Sequence, residues 1–172
     1  MCTLRGRETA CAFTGHRPSK LSWGHDEQDP RCMGLKQRMA DAIDIAYEQG
    51  FRHFICGMAL GCDLYFCEAV MALRSRHDDV TIEAAIPCPQ QSARWSTHDQ
   101  ARYTALVQAC DFETVIAQHY SPGCMQRRDR YMVDHSALLI AAFDGSSGGT
   151  QYTMLYAMRQ GLDVVDLPTV LV

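Results

Sequence analysis

The stretch ALLIAAFDGSSGGTQYTMLYAM, residues 137–158, decides how the rest of the chain is read. Ala137 to Phe143 is a continuous apolar run bounded by turn residues, and it is read as a strand buried on both faces. Asp144-Gly145-Ser146-Ser147-Gly148-Gly149 follows, a loop whose glycines can take positive φ and let a ligand approach the backbone. Thr150 then opens a helix carrying Met154, Leu155 and Met158 at helical spacing. A strand, a glycine loop and a helix start together form an anion site, because the unpaired N–H groups and the positive dipole end point the same way. The first turn, Thr150-Gln151-Tyr152-Thr153, holds no carboxylate to neutralise that dipole, so the site is open to a phosphate. A glycine-rich connection without a ligand is the competing reading of this stretch alone.

Working outward, the same alternation recurs. Thr9 to Thr14 reads as a first strand, ending in Gly15-His16-Arg17-Pro18. Ser19 to Cys32 is polar and contains Gly24, Pro30 and Trp23; a lid or binding loop and a disordered excursion both fit it. Leu35, Met39, Ala42, Ile43, Ala46 and Tyr47 mark one face of a helix closed by Gln49-Gly50. Phe51 to Cys56 reads as strand two, followed by the turn Gly57–Asp63 and a helix with Leu64, Cys67, Val70, Met71 and Leu73. Val80 to Ile86 is strand three, and Ser92 is the expected N-cap of a helix running to about Ala109. Phe112 to Ala117 is strand four, Ser121-Pro122-Gly123 turns into a helix with Arg127, Arg128, Arg130, Met132 and Asp134, and Val164 to Leu167 is strand six.

Strands alternating with helices imply an α/β, Rossmann-like domain: three layers, a mostly parallel sheet, helices on both faces. In that architecture every strand-to-helix loop emerges at one carboxyl edge, where such folds bind ligands. Much of the glycine and proline falls in those loops: Gly15–Pro18, Gly57–Asp63, Pro87–Ser92, Gln118–Gly123 and Asp144–Thr150.

At 172 residues the chain fits a single domain, 1–172, able to bury a sizeable core. A net charge of −4 argues against a general binder of nucleic acid or of membrane surfaces. No apolar run approaches the ~20 residues of a membrane span and the N-terminus carries no signal-type apolar segment, so a cytoplasmic location is expected. Nine cysteines without framework spacing do not make a disulfide scaffold, and Cys62 and Cys67, five apart on a helix, do not face each other. With no C-x-x-C and no H-E-x-x-H, no metal is expected, and no cofactor is called for.

His16, Arg17 and the arginines of 127–130, set beside two glycine loops, describe a pocket for a phosphorylated ligand, since arginine contacts phosphate bidentately and stays charged. For Arg127 and Arg128 a solvated helix face is the alternative, and for His16 a backbone hydrogen bond. Asp63 either accepts ribose hydroxyls or complements its own helix N-terminus. Trp95 beside Arg94 either stacks on a base or packs in the core. Gly57-x-x-x-Gly61 is neither a dinucleotide fingerprint nor a P-loop, and the consecutive Asp134-His135-Ser136 cannot converge as a triad.

Four motifs in order, Thr14-Gly-His-Arg-Pro18, Gly57-x-x-x-Gly61-x-Asp63, Arg128-Asp-Arg-Tyr-Met-Val-Asp134 and Asp144-Gly-x-x-Gly148-Gly149-Thr150, resemble the YpsA-like branch of the SLOG superfamily, named for the Smf/DprA and LOG proteins. The resemblance spans most of the chain. It implies a Rossmann-like domain that binds nucleotides or nucleotide-derived ligands, with the glycine loop before the last helix holding phosphate. The LOG branch contains phosphoribohydrolases that cut the base from a nucleoside 5′-monophosphate, with a motif resembling P-G-G-x-G-T-x-x-E. Gly148, Gly149 and Thr150 keep that pattern and Arg128 falls at its arginine, but Thr153 stands at the glutamate. Threonine cannot ionise to stabilise an oxocarbenium-like sugar or to activate water.

Two functions follow. In the first, a sensor or binding module holds a nucleotide or nucleotide-derived small molecule with Gly15, His16, Arg17, Gly57, Gly61, Asp63, Arg128, Gly145, Gly148, Gly149 and Thr150. In the second, an N-glycosidase uses Arg128 with an aspartate, Asp134 among them, in place of the glutamate. DprA-type binding of single-stranded DNA needs a basic groove, against which the acidic balance argues. A homo-oligomer is compatible with either function.

Overall fold

The computed structural model describes residues 6–170; the N-terminal reading made on the first five residues lies outside them. Six strands, β1 (Ala10–Gly15), β2 (His53–Cys56), β3 (Thr81–Ile86), β4 (Phe112–Val115), β5 (Leu138–Phe143) and β6 (Asp163–Pro168), form one sheet in the order β4-β3-β2-β1-β5-β6. Every pairing is parallel. Five helices cover it: α1 (Pro30–Glu48), α2 (Cys62–Arg74), α3 (Thr97–Ala109), α4 (Cys124–Asp134) and α5 (Gly149–Arg159). The fold is the expected three-layer Rossmann-like α/β arrangement.

The strands' alternation sorts the core into two layers. Cys11, Phe13, Phe54, Ile82 and Ile140 pack under α1, α2 and Tyr103 of α3. Ala12, Ile55, Ala85, Leu139 and Ala141 face the other way, against Met132 and Val133 of α4 and Met154 and Ala157 of α5. Burial on both faces explains why β1 and β5 read as unbroken apolar runs.

Three local readings change. Ser19–Cys32 has structure of its own and is not a disordered excursion. It forms a short 3-10 turn at Pro18–Lys20, buries Leu21 and Trp23 in the core, and enters α1 at Pro30, where the Asp29 side chain accepts from the Arg31 N–H. Helix α3 is capped by Ser96, which accepts from the Asp99 N–H at 3.1 Å, and not by Ser92. Residues 87–96 are spent on turns, so the cap falls one turn later than the serine first in sequence. Helix α5 starts at Gly149, one residue before Thr150, and buries Thr150, Thr153, Met154 and Ala157. Leu155 and Met158 lie on its exposed side, because the sheet contact follows the 153-154-157 ridge.

Topology positions the site. The chain runs β1-β2-β3-β4 toward one edge, then returns to lay β5 on the other flank of β1. The strand order reverses there, and the loops after β1 and β5 diverge over a crevice. Register sharpens the placement: Gly15 pairs with Ala142, so His16 leaves the sheet level with Phe143 and Asp144.

Candidate functional site

The crevice at that reversal is a cavity of about 200 Å³. The end of β1 and its loop supply Thr14, His16, Arg17 and Lys20, the β2–α2 loop and helix supply Ala59 and Asp63, α4 supplies Arg128 and Asp129, and α5 supplies Gly149 and Thr150.

His16 is almost fully buried and ties the two loops together. Its Nε2 lies 2.7 Å from Asp144 Oδ1 and its Nδ1 lies 3.4 Å from Thr150 Oγ1. The Asp144 N–H also points at Nε2, at 3.2 Å, so the imidazole is held by both the side chain and the backbone of that residue. Asp144 also accepts from the Ser146 N–H at 2.8 Å, and these bonds, Ser146 first, hold its carboxyl well below the usual range. The glycine loop is thereby pinned to β1, leaving the first turn of α5 with no acidic residue and its N–H groups without helical acceptors. Above that loop stands Lys20, whose Nζ donates to Ser147 O at 2.6 Å and to Ser146 Oγ at 3.3 Å. Arg17 is exposed at the mouth, its guanidinium 4.0 Å from the Met125 sulfur.

The opposite wall is acidic and more deeply set. Arg128 is buried in α4 and donates from Nη1 to the Gly57 carbonyl and from Nε to Asp129 Oδ1 at 2.7 Å. Asp63 accepts from the Ala59 N–H at 3.0 Å, and burial pushes its carboxyl up to about 6 against the pull of Arg128. Gln91 bonds the carbonyls of Gly57 and Met58, at 3.2 and 3.1 Å, so the backbone at Met58 holds its positive φ of 57°.

Of the residues singled out in the sequence, Gly15, His16, Arg17, Asp63, Arg128, Gly149 and Thr150 line the cavity. Three of the glycines answer to packing. A Cβ on Gly15 would meet Cys62 Cβ at 2.6 Å, one on Gly57 the Arg128 Nη1 at 2.5 Å, and one on Gly61 the His16 carbonyl at 2.9 Å. Gly145 and Gly148 shape the loop at positive φ without lining the cavity. Asp134 lies outside: it is exposed at the end of α4 and accepts from the Tyr156 hydroxyl at 2.9 Å, because it is a turn and a half beyond Arg128. Thr153 is fully buried and bonds back to Gly149 O at 2.9 Å. Trp95 packs edge-on against Tyr103, with ring centroids 5.3 Å apart, which is the core reading of that residue. Lys20 and Asp129 escaped the sequence reading. Asp129 carries a signal, its position beside Arg128; Lys20 lies in the stretch read as a lid or binding loop, where nothing singles it out from its polar neighbours.

Among the described residues, no helix is long and apolar enough to cross a membrane, and no group of three or more His, Cys, Asp or Glu side chains could hold a metal ion.

Comparison with known proteins places this geometry in a lineage. The YpsA family model, described as the YspA SLOG family, matches residues 11–168, and the chain belongs to that family. The SPbeta prophage-derived protein YoqJ of Bacillus subtilis is 30% identical over 146 residues, 77% of this chain and 85% of that protein. The UPF0398 protein YpsA of the same organism is 22% identical, over 84% of this chain and 81% of its own. Among solved structures, DNA processing protein A (DprA) of Helicobacter pylori, described for its single-stranded DNA binding mode, superposes with a TM-score of 0.63 at 16% identity, covering 96% of this chain and 68% of that one. DprA of Streptococcus pneumoniae gives a TM-score of 0.58 at 13% identity over 95% of this chain, which spans only half of the pneumococcal one.

Proposed function

We propose that this SLOG-family chain binds a nucleotide or nucleotide-derived ligand in the crevice between the β1 and β5 loops, as a binding module. The observation that carries the reading is the polarity of the cavity. Lys20 and Arg17 stand at the mouth over a glycine loop and a helix N-terminus free of carboxylates, while Asp63 and Asp129 lie on the inner wall. A phosphate is attracted to the first region, and ribose hydroxyls donate to carboxylates in the second. A cavity of about 200 Å³ suits a sugar phosphate with the base lying outside, being smaller than the ~300–1,000 Å³ pockets that enclose drug-sized ligands. Binding without turnover is favoured by Thr153, whose hydroxyl is committed to its own helix where the LOG pattern has a glutamate.

A second reading comes from the DprA likeness: the same loop takes one phosphate of a single DNA strand. The net charge of −4 describes the whole surface, whereas Lys20 and Arg17 make one local cationic rim, so overall charge is a weaker exclusion than the sequence alone suggested.

Mass spectrometry and calorimetry of the protein with AMP, ADP-ribose, NAD, inorganic phosphate and a thymidine oligonucleotide separate the readings. An intact, retained nucleotide is expected. Release of free base with ribose phosphate would replace the binding module with a phosphoribohydrolase using Asp63 or Asp129. Affinity confined to the oligonucleotide, falling steeply with salt, would favour the DNA reading.

A further inference from the structure

We propose that Cys67 and Cys110 are a redox modification site, closing to a reversible intramolecular disulfide. Cys67 lies on α2 and Cys110 is the C-cap of α3, and their sulfur atoms are 3.9 Å apart although 43 residues separate them in sequence. A disulfide needs a separation of ~2.05 Å, so the two sulfurs must approach by about 2 Å, through side-chain rotation and a small shift at the α3 terminus.

Access selects which sulfur reacts first. Among the described cysteines, Cys110 alone is partly exposed, and the other seven are buried. Its surroundings favour the thiolate. Its sulfur faces Cys67 Sγ and donates to Leu106 O at 3.3 Å, and the Arg74 guanidinium is anchored on both its neighbours, on Ala109 O at 2.9 Å and Asp111 Oδ2 at 2.7 Å. These partners, Cys67 first and Arg74 after it, hold the Cys110 thiol below its ordinary range against the effect of burial. With a hydroperoxide as oxidant the atoms balance in two steps. The Cys110 thiolate attacks the peroxide, breaking its O–O bond to give the sulfenic acid and hydroxide. The Cys67 sulfur then attacks the sulfenic sulfur, forming the S–S bond while hydroxide departs and takes up the Cys67 proton as water. Two thiols lose two electrons and hydrogen peroxide becomes two waters.

The test is oxidation of the full chain with hydrogen peroxide, alkylation after denaturation, and peptide mapping. Two of the nine thiols should escape alkylation, with a loss of two mass units reversed by dithiothreitol and a crosslink joining the peptides of Cys67 and Cys110. Cys67→Ala should instead leave a sulfenic acid at Cys110 that a dimedone probe captures. A disulfide between any other pair, or nine alkylated thiols after peroxide treatment, would overturn the proposal. The wild-type mapping decides even if the variant does not fold.

Discussion

His16 Nε2 lies 2.7 Å from Asp144 Oδ1, a contact across 128 residues of chain that closes the crevice between β1 and β5. The histidine is buried, and the carboxylate also organises the glycine loop through the Ser146 N–H. His16→Ala should therefore cost about 1–3 kcal/mol of stability, the range for leaving a buried polar group unsatisfied, here the Thr150 hydroxyl that faces Nδ1. It should also weaken nucleotide binding at least about tenfold, because the anion loop loses its anchor. Thermal unfolding and calorimetry on the same sample check both; a stable variant with unchanged affinity would show that the contact is incidental.

Lys20 adds a cation over the Ser147 carbonyl without burying itself. Lys20→Ala should leave the melting temperature within about a degree and lower the affinity for AMP roughly five- to tenfold, as loss of one charge-assisted phosphate contact does. The difference should shrink in high salt. An unchanged affinity at low salt would remove Lys20 from the binding reading.

Gly57 gives up its Cβ to the Arg128 guanidinium. Gly57→Ala should destabilise the fold by about 1–3 kcal/mol through overpacking. The same substitution should cost less in an Arg128→Ala background, where only the Asp63 carboxylate, 2.9 Å from the added Cβ, still presses on it. Equal costs in both backgrounds would mean that the glycine serves backbone conformation instead.

Asp63 is pushed up to about 6 from an ordinary 3.8 by burial, with Arg128 opposing. The stability tied to its protonation is fully present below pH 3.8 and is lost as pH rises through 6. Asp63→Asn, neutral at every pH, should thus gain up to about 3 kcal/mol over the wild type between pH 4 and 8. Urea unfolding at those two pH values measures the gain, and a flat difference would refute the shift.

Glu83 behaves oppositely. Burial pushes it up, but hydrogen bonds from His53, Tyr131 and Thr114 outweigh burial and hold it at about 2, below its ordinary 4.5. Its contribution is present above pH 4.5 and is lost as pH falls toward 2. Glu83→Gln should be less stable at pH 7 and should lose less stability than the wild type between pH 4.5 and 2; urea unfolding at those pH values shows whether it does.

The sequence alone determined the alternation of elements and which loops gather at the carboxyl edge of the sheet. Apolar runs and glycine turns are local properties, and β1 and β5, buried on both faces, announce themselves as uninterrupted hydrophobic stretches. The carboxyl-edge placement of Gly15–Pro18 and Asp144–Thr150 followed from the alternation. Family resemblance added the comparison that sets Thr153 where the LOG pattern has a glutamate. The tertiary structure alone decided what those residues touch. Strand order laid β5 against β1, and only that pairing brings His16 to Asp144. Helix direction decided between neighbouring carboxylates: Asp129 turns into the crevice with Arg128, whereas Asp134 ends on the outer face with Tyr156. Gly57 looked like a ligand contact and proved to make room for a guanidinium 71 residues away. Periodicity reports which face of an element is buried, but which partner lies across that face is set by long-range packing, and no local pattern encodes it.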